Sequence, residues 1–137
     1  MPRRYAIIRI KEVDFFMAVK YEVKITGVGK DANTFLDTNA SFILMDEGIR
    51  PSLQDMVVQH TVAELQGEIV VGDKLQVGSS EFTVTKVGDN VNKDLANGGH
   101  CTIVINKEGS MPGQVSVKGK IMPRLRPNNT VKFYSAE

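Results

Sequence analysis

Apolar and polar residues alternate at period two through much of the chain from Val19 onward. Tyr21-Glu22-Val23-Lys24-Ile25-Thr26 makes every second side chain apolar, as a strand with one buried face requires, and Gly27 and Gly29 punctuate its end. Lys74-Leu75-Gln76-Val77 and Glu81-Phe82-Thr83-Val84-Thr85-Lys86-Val87 alternate in the same way around Gly78-Ser79-Ser80, the clearest hairpin signal in the chain. Ser41-Phe42-Ile43-Leu44-Met45 is mostly apolar on both faces and belongs in the interior of a sheet. Met56 to Val62 reads as one short strand. Thr102–Ile105, Gln114–Lys118 and Thr130–Tyr134 complete the set, separated by loops that carry Pro112-Gly113, Pro123 and Pro127, because proline cannot donate to a ladder.

Helical periodicity is scarce. Asp89 to Asn97 is the one predicted helix: Asp89 or Asn90 can cap it, Val91 and Leu95 lie four apart on one face, and Asn97-Gly98 can close it with a left-handed residue. Lys30 to Asn39 reads as a turn or a short helical segment pinned by Phe35-Leu36, and Asp46 to Asp55, with Gly48 and Pro51, as a loop. Gly72-Asp73 signals a tight turn. Many short strands with little helix imply an antiparallel sandwich or a barrel. The expectation is an all-β, closed, mostly antiparallel six-stranded barrel with one short helix, since closure removes exposed edges.

Size and charge narrow the picture without changing it. At 137 residues the chain suits a single domain with its own core. A formal charge of +1 supplies no broad positive field, so nucleic acid is not an expected partner. Arg124 and Arg126 with Lys118 and Lys120 make a modest basic cluster, either ordinary surface or a docking patch for an acidic partner. One cysteine, Cys101, excludes an internal disulfide and fits a reducing compartment. The run Tyr5-Ala6-Ile7-Ile8 is broken at once by Arg9 and Lys11, too short and charged for a signal peptide or a membrane span, so a cytoplasmic protein that is not itself membrane-embedded is expected. Codons for Lys11-Glu12-Val13 can spell a ribosome-binding sequence ahead of Met17. A native start there, with residues 1–16 an N-terminal extension and 17–137 the domain, is one expectation; an extra edge strand over Tyr5–Ile10 is the other.

The candidate chemistry centres on the two histidines, His60 and His100. Counting by twos places Val58, His60 and Val62 on one face of their strand. A core histidine satisfied by a backbone carbonyl is the plain structural reading. The functional one is a nucleophile: a phosphoryl-accepting histidine needs an unprotonated attacking nitrogen, a partner that fixes its tautomer, and donors for the phosphoryl oxygens. Apolar flanks favour the neutral ring, and the amides of Gly98-Gly99, just before His100, are candidate phosphate-stabilising donors.

His100 points away from Cys101, Ile103 and Ile105 on the same count, as a polar residue at a strand start would. No paired metal-ligand spacing exists, and Cys101 reads as a small buried hydrophobe. Asp46, Glu47 and Asp73 lie in turns and are expected to be solvated. Gly-x-Ser-x-Gly, Walker-type and dinucleotide motifs are all missing from the sequence.

Several segments, taken in order, carry a resemblance: Val23-Lys24-Ile25-Thr26-Gly27-Val28-Gly29, His60-Thr61-Val62-Ala63-Glu64-Leu65-Gln66-Gly67, Val84-Thr85-Lys86-Val87-Gly88, Gly99-His100-Cys101-Thr102-Ile103 and Pro112-Gly113-Gln114-Val115. From Tyr21 to Phe133 the chain resembles the glucitol/sorbitol-specific IIA component of the bacterial phosphoenolpyruvate-dependent sugar phosphotransferase system. The resemblance implies a mostly antiparallel barrel, no metal or cofactor, and His60 as the phosphorylated residue, with a rim around it open to partners. It implies a chain of transfers from the histidine-containing phosphocarrier protein to His60 and on to the IIB component, coupled to hexitol uptake by IIC. Loops Asp46–Asp55 and Gly109–Gln114 are the expected docking rim. Family members often carry a second histidine two residues after the first; here that position is Val62, and His100 is the candidate to take its role. Whether the chain works as a monomer or a homodimer is left open. The competing reading is a non-enzymatic ligand-binding or interaction barrel with structural histidines.

Overall fold

The alternating run at Tyr21 to Thr26 lies within a strand far longer than itself. The computed structural model of the chain describes residues 4–10 and 13–136, with side chains from Ala18 to Ala136. Strand β1 (Arg4–Ile10) pairs antiparallel with the first half of β2 (Val13–Val28), from Arg4 opposite Val19 to Ile10 opposite Val13. The extra edge strand is therefore present as β1. The extension of residues 1–16 lies partly outside the described residues, and its side chains lie wholly outside them.

After β2 come α1 (Ala32–Asn39), β3 (Ser41–Asp46), β4 (Val58–His60), β5 (Lys74–Val77), β6 (Ser80–Val87), α2 (Val91–Gly98), β7 (Cys101–Ile105), β8 (Gln114–Lys118) and β9 (Thr130–Tyr134). The hydrogen-bonded order runs β2-β4-β3-β7-β8-β6-β5-β9, and β9 pairs back onto β2. Among the described residues eight strands thus close the ring, not six, with β1 outside it on β2. Each of the eight runs picked out by pattern is needed to complete the circuit. Closure is mostly antiparallel as expected; β3 with β4 and β7 with β8 are the parallel pairs.

The ring is filled by the apolar members of each alternation. Val23 and Ile25, Leu75 and Val77, Phe82 and Val84, Ile103 and Ile105, Val115 and Val117, Val131 and Phe133 are all buried. Val77 faces Ser80 across a two-residue Gly78-Ser79 turn, and Gly78 takes the left-handed backbone that this turn demands.

The described residues hold two helices where one was predicted. The segment with Phe35-Leu36 is the eight-residue α1, which buries Ala32 and Leu36. Helix α2 buries Val91 and Leu95, the pair four apart. It closes one residue later than the pattern suggested, on Gly99 at φ 60°, whose N–H bonds back to Leu95 O at 3.1 Å. Only glycine adopts that backbone without a Cβ penalty.

Two turn carboxylates expected in solvent are buried instead. Asp73 is 3% exposed and accepts from Lys20 Nζ at 2.7 Å and from Val70 N at 2.9 Å. Lys20 also donates to Glu68 O at 2.8 Å, so this interior ion pair is hydrogen-bonded on both sides, as burial of charge demands. Asp46, the last residue of β3, is the second. Among the described residues no helix is long and apolar enough to cross a membrane.

Candidate functional site

Strand β4 is only three residues long, and its last residue is His60. It lies between β2, where Ile25 is opposite His60, and β3, where Asp46 stands in parallel register with His60. Chain beyond His60 leaves the ladder but stays beside β2: Thr61 N donates to Lys24 O at 2.9 Å and Gln66 N to Lys20 O at 2.7 Å. Because the strand stops there, the expected face of Val58, His60 and Val62 is broken. Val58 and His60 are fully buried, whereas Val62 is 69% exposed.

His60 is 0% exposed, so the rim expected to open around it is closed. Both ring nitrogens meet backbone carbonyls, Nδ1 at 2.8 Å from Thr61 O and Nε2 at 2.9 Å from Gly99 O. Asp46 Oδ1 stands 3.6 Å from Nδ1, and the Tyr21 ring meets the imidazole edge-on at 86°, with centroids 6.1 Å apart. Two carbonyl oxygens facing one imidazole are both satisfied only when the ring carries two N–H groups. A neutral ring leaves one nitrogen lone pair against an oxygen.

The turn ahead of His100 does converge on His60, through Gly99. A methyl group built on Gly99 would overlap Asp46 Oδ1 and lie 2.5 Å from His60 Cε1 and 2.8 Å from the Tyr21 hydroxyl. What this turn presents is an acceptor, however, since the amides that the sequence offered as donors are engaged elsewhere. Gly98 N lies within helix α2 and Gly99 N bonds Leu95 O, while the next amide, His100 N, bonds Asp94 O at 3.3 Å. The end of α2 aimed at the ring is also its carbonyl-rich C-terminus, which attracts cations and not phosphate.

His100 stands on the far side of the same turn, exposed. With Met45, Ile49, Arg50, Asp94, Asn97 and Gly98 it lines a cleft of about 160 Å³. The two histidines are thus separated by the Gly99–His100 peptide, His60 inside and His100 outside. Cys101 is buried as expected, and burial, helped by the nearby Asp94 charge, pushes its thiol up to about 12. Among the described residues no cluster of three metal-ligating side chains occurs.

Pattern reading missed Asp46 and Tyr21. Both are buried, and the Asp46 Oδ1 and Tyr21 Oη atoms have no hydrogen-bond partner. Burial raises the Asp46 carboxyl above its ordinary value, with the His60 ring offsetting part of that rise and Glu47 adding to it. Burial, reinforced by the Asp46 and Cys101 charges, likewise raises the Tyr21 hydroxyl, so it stays a donor at any physiological pH. The only sequence signal for Asp46 is that it ends a run apolar on both faces; its place beside His60 follows from β3–β4 register.

The fold and sequence have counterparts among known proteins. A PTS system IIA component from Enterococcus faecalis, known from its crystal structure, superposes with a TM-score of 0.74 at 24% identity, covering 81% of this chain and 97% of that one. At that identity the likeness speaks for the fold. No curated protein matches the chain. The family model of the PTS system glucitol/sorbitol-specific IIA component matches residues 20–132, a span that holds the closed ring from Lys20 to Lys132 and every residue of the His60 site. The chain belongs to the glucitol/sorbitol-specific IIA family of the phosphotransferase system.

Proposed function

We propose that the protein is a phosphoryl carrier whose acceptor is His60, loaded by the histidine-containing phosphocarrier protein and discharged to the IIB component that serves a hexitol-transporting IIC. The observation that carries this reading is family membership over residues 20–132, together with the place of His60 at the end of β4 beside a turn that covers it. Phosphoryl transfer asks a protein chiefly for positioning and charge stabilisation, so a small barrel without metal or cofactor suffices. Exposed Ile49 and Arg50 border the cleft outside Gly99, on the loop expected to meet partners. His100 lines the same cleft, where its side chain can meet an incoming phosphoryl group; Val62 cannot take that part.

One observation favours a second reading, in which both histidines are structural: His60 is fully buried and its nitrogens face carbonyls, as a satisfied core histidine would. Incubation with phosphoenolpyruvate, enzyme I and the phosphocarrier separates the two. The wild type is expected to gain one acid-labile phosphate by intact mass and His60→Ala none. A wild type that gains no phosphate leaves the structural reading standing.

A further inference from the structure

We propose that the Gly99–His100 peptide is both the gate of the site and one of its phosphoryl-oxygen donors, closing Nε2 of His60 with its carbonyl and, once turned over, offering the His100 amide to the phosphate on Nε2. This inference rests on His60 being the phosphoryl acceptor.

The wall between cleft and imidazole is one peptide thick. Gly98 and His100 line the cleft, while the Gly99 carbonyl between them sits 2.9 Å from Nε2. Nδ1 faces Thr61 O from the next residue of its own chain and Asp46 on β3. An N–H held at Nδ1 by those two oxygens leaves the lone pair on Nε2, directly against the Gly99 oxygen. Such a contact repels, so the nucleophilic form of the ring and the closed position of this peptide exclude one another. Reaching Nε2 therefore requires the carbonyl to leave.

A half-turn of this single peptide achieves that; it reverses ψ at Gly99 and carries His100, at negative φ in the closed form, to positive φ, a cost that the phosphate contacts must offset. Gly99 stands at φ 60° and ψ 25°. Reversing the peptide carries ψ to about −155°, a region of backbone space open essentially to glycine alone. Both ends of the movement thus demand glycine at 99. The helix stays capped throughout, because the Gly99 N–H to Leu95 O bond belongs to the preceding peptide. The bond given up from His100 N to Asp94 O is long, at 3.3 Å.

Reversal exchanges an acceptor for a donor at the same place, and so reconciles a carbonyl-lined resting site with phosphate chemistry. The Tyr21 hydroxyl, 1% exposed and without a partner, lies beside Gly99, close to where a Cβ on that residue would stand, with the equally unpartnered Asp46 Oδ1. The hydroxyl is a donor left without a bond in the closed site. Buried orphan donors are costly to keep, and phosphoryl oxygens would relieve this one.

In the transfer itself Nε2 enters with its lone pair, any proton it carried having passed to water in the opened cleft. The N–P bond of the carrier breaks as the Nε2–P bond forms. The carrier nitrogen keeps the electron pair of the broken bond, and the His60 proton stays on Nδ1.

The test is nuclear magnetic resonance of isotope-labelled full-length protein before and after loading by phosphoenolpyruvate, enzyme I and the phosphocarrier. Phosphate is expected on Nε2 in the long-range ring spectrum, with the His100 amide proton moved downfield and coupled through its hydrogen bond to phosphorus. In a second arm an ester replaces the amide at position 100, deleting the N–H and keeping the carbonyl. Loading is then expected to slow about 100-fold, the usual loss for one donor of this kind. Phosphate on Nδ1, an unchanged His100 amide in the loaded protein, or an ester variant loading at the wild-type rate would each overturn the gate while leaving His60 as carrier. Failure of the wild type to load at all would overturn the carrier reading, and the gate with it.

Discussion

Adding one methyl group to Gly99 should cost far more than adding it to Gly98, although the two are neighbours. At Gly99 the new Cβ meets the Asp46 carboxylate, the His60 ring and the Tyr21 hydroxyl. All three are buried, so none can yield as a flexible surface side chain would. A left-handed residue bearing a Cβ costs about 1–2 kcal/mol, and overpacking a filled interior a further ~1–3 kcal/mol. Gly99→Ala is therefore expected to lose about 2–5 kcal/mol. At Gly98 the nearest atom to a new Cβ is Ile49 Cδ1 at 3.9 Å, an ordinary contact, and alanine gains up to about 1 kcal/mol over glycine in a helix. Urea unfolding followed by circular dichroism reads the difference directly. With a slope of about 1–3 kcal/mol per molar urea, Gly99→Ala should move the midpoint down by about 0.7 M or more, while Gly98→Ala leaves it unchanged or raised. Equal midpoints for the two variants would refute the packing of Gly99 against His60 and the gate built on it.

Three further outcomes follow from buried polar groups. Because the folded protein holds the Asp46 carboxyl above its ordinary value, ionising it subtracts stability. That subtraction is complete above the raised pKa and vanishes as pH falls through the ordinary carboxylate range. Asp46→Asn should thus gain on the wild type as pH rises through that window, and urea midpoints whose difference is independent of pH would contradict it. Asp73→Ala leaves Lys20 buried and charged, a loss of about 3–5 kcal/mol, and replacing both partners with apolar residues should recover most of it in thermal melts. Cys101, with its thiol pushed up to about 12 by burial, should resist thiol reagents at mildly alkaline pH in the native protein and react fully in denaturant. Rapid native labelling would place it outside the core.

Patterning marked every strand of the ring because each packs a face inside the barrel; period-two alternation is the imprint of that burial in most of them, and in β3 the run apolar on both faces was the mark. The strand count came out low in the predicted barrel because pattern names strands without showing which of them pair to close the circuit. Helix α1 was half visible because one of its two buried positions is the small Ala32, a weaker apolar mark than Val91 in α2, so that Phe35-Leu36 stood out without their helical partner. His60 and His100 stood out by rarity. Their relation did not, since β4 ends at His60 and one glycine peptide stands between them.

The amino-acid sequence by itself determined the all-β class, the apolar faces that fill the barrel, Gly99 and His100 as a pair, and enough ordered similarity to place the chain in its family. Tertiary structure alone decided that Asp46 and Tyr21 join His60, that the ring is sealed from solvent, and that the turn beside it presents a carbonyl where an amide was expected. The physical reason is that side-chain alternation is a local property of each strand, whereas the neighbours of His60 come from β2, β3 and the end of α2. Strand register and the path of the chain out of α2 bring those groups together, and the register leaves no trace in the order of residues.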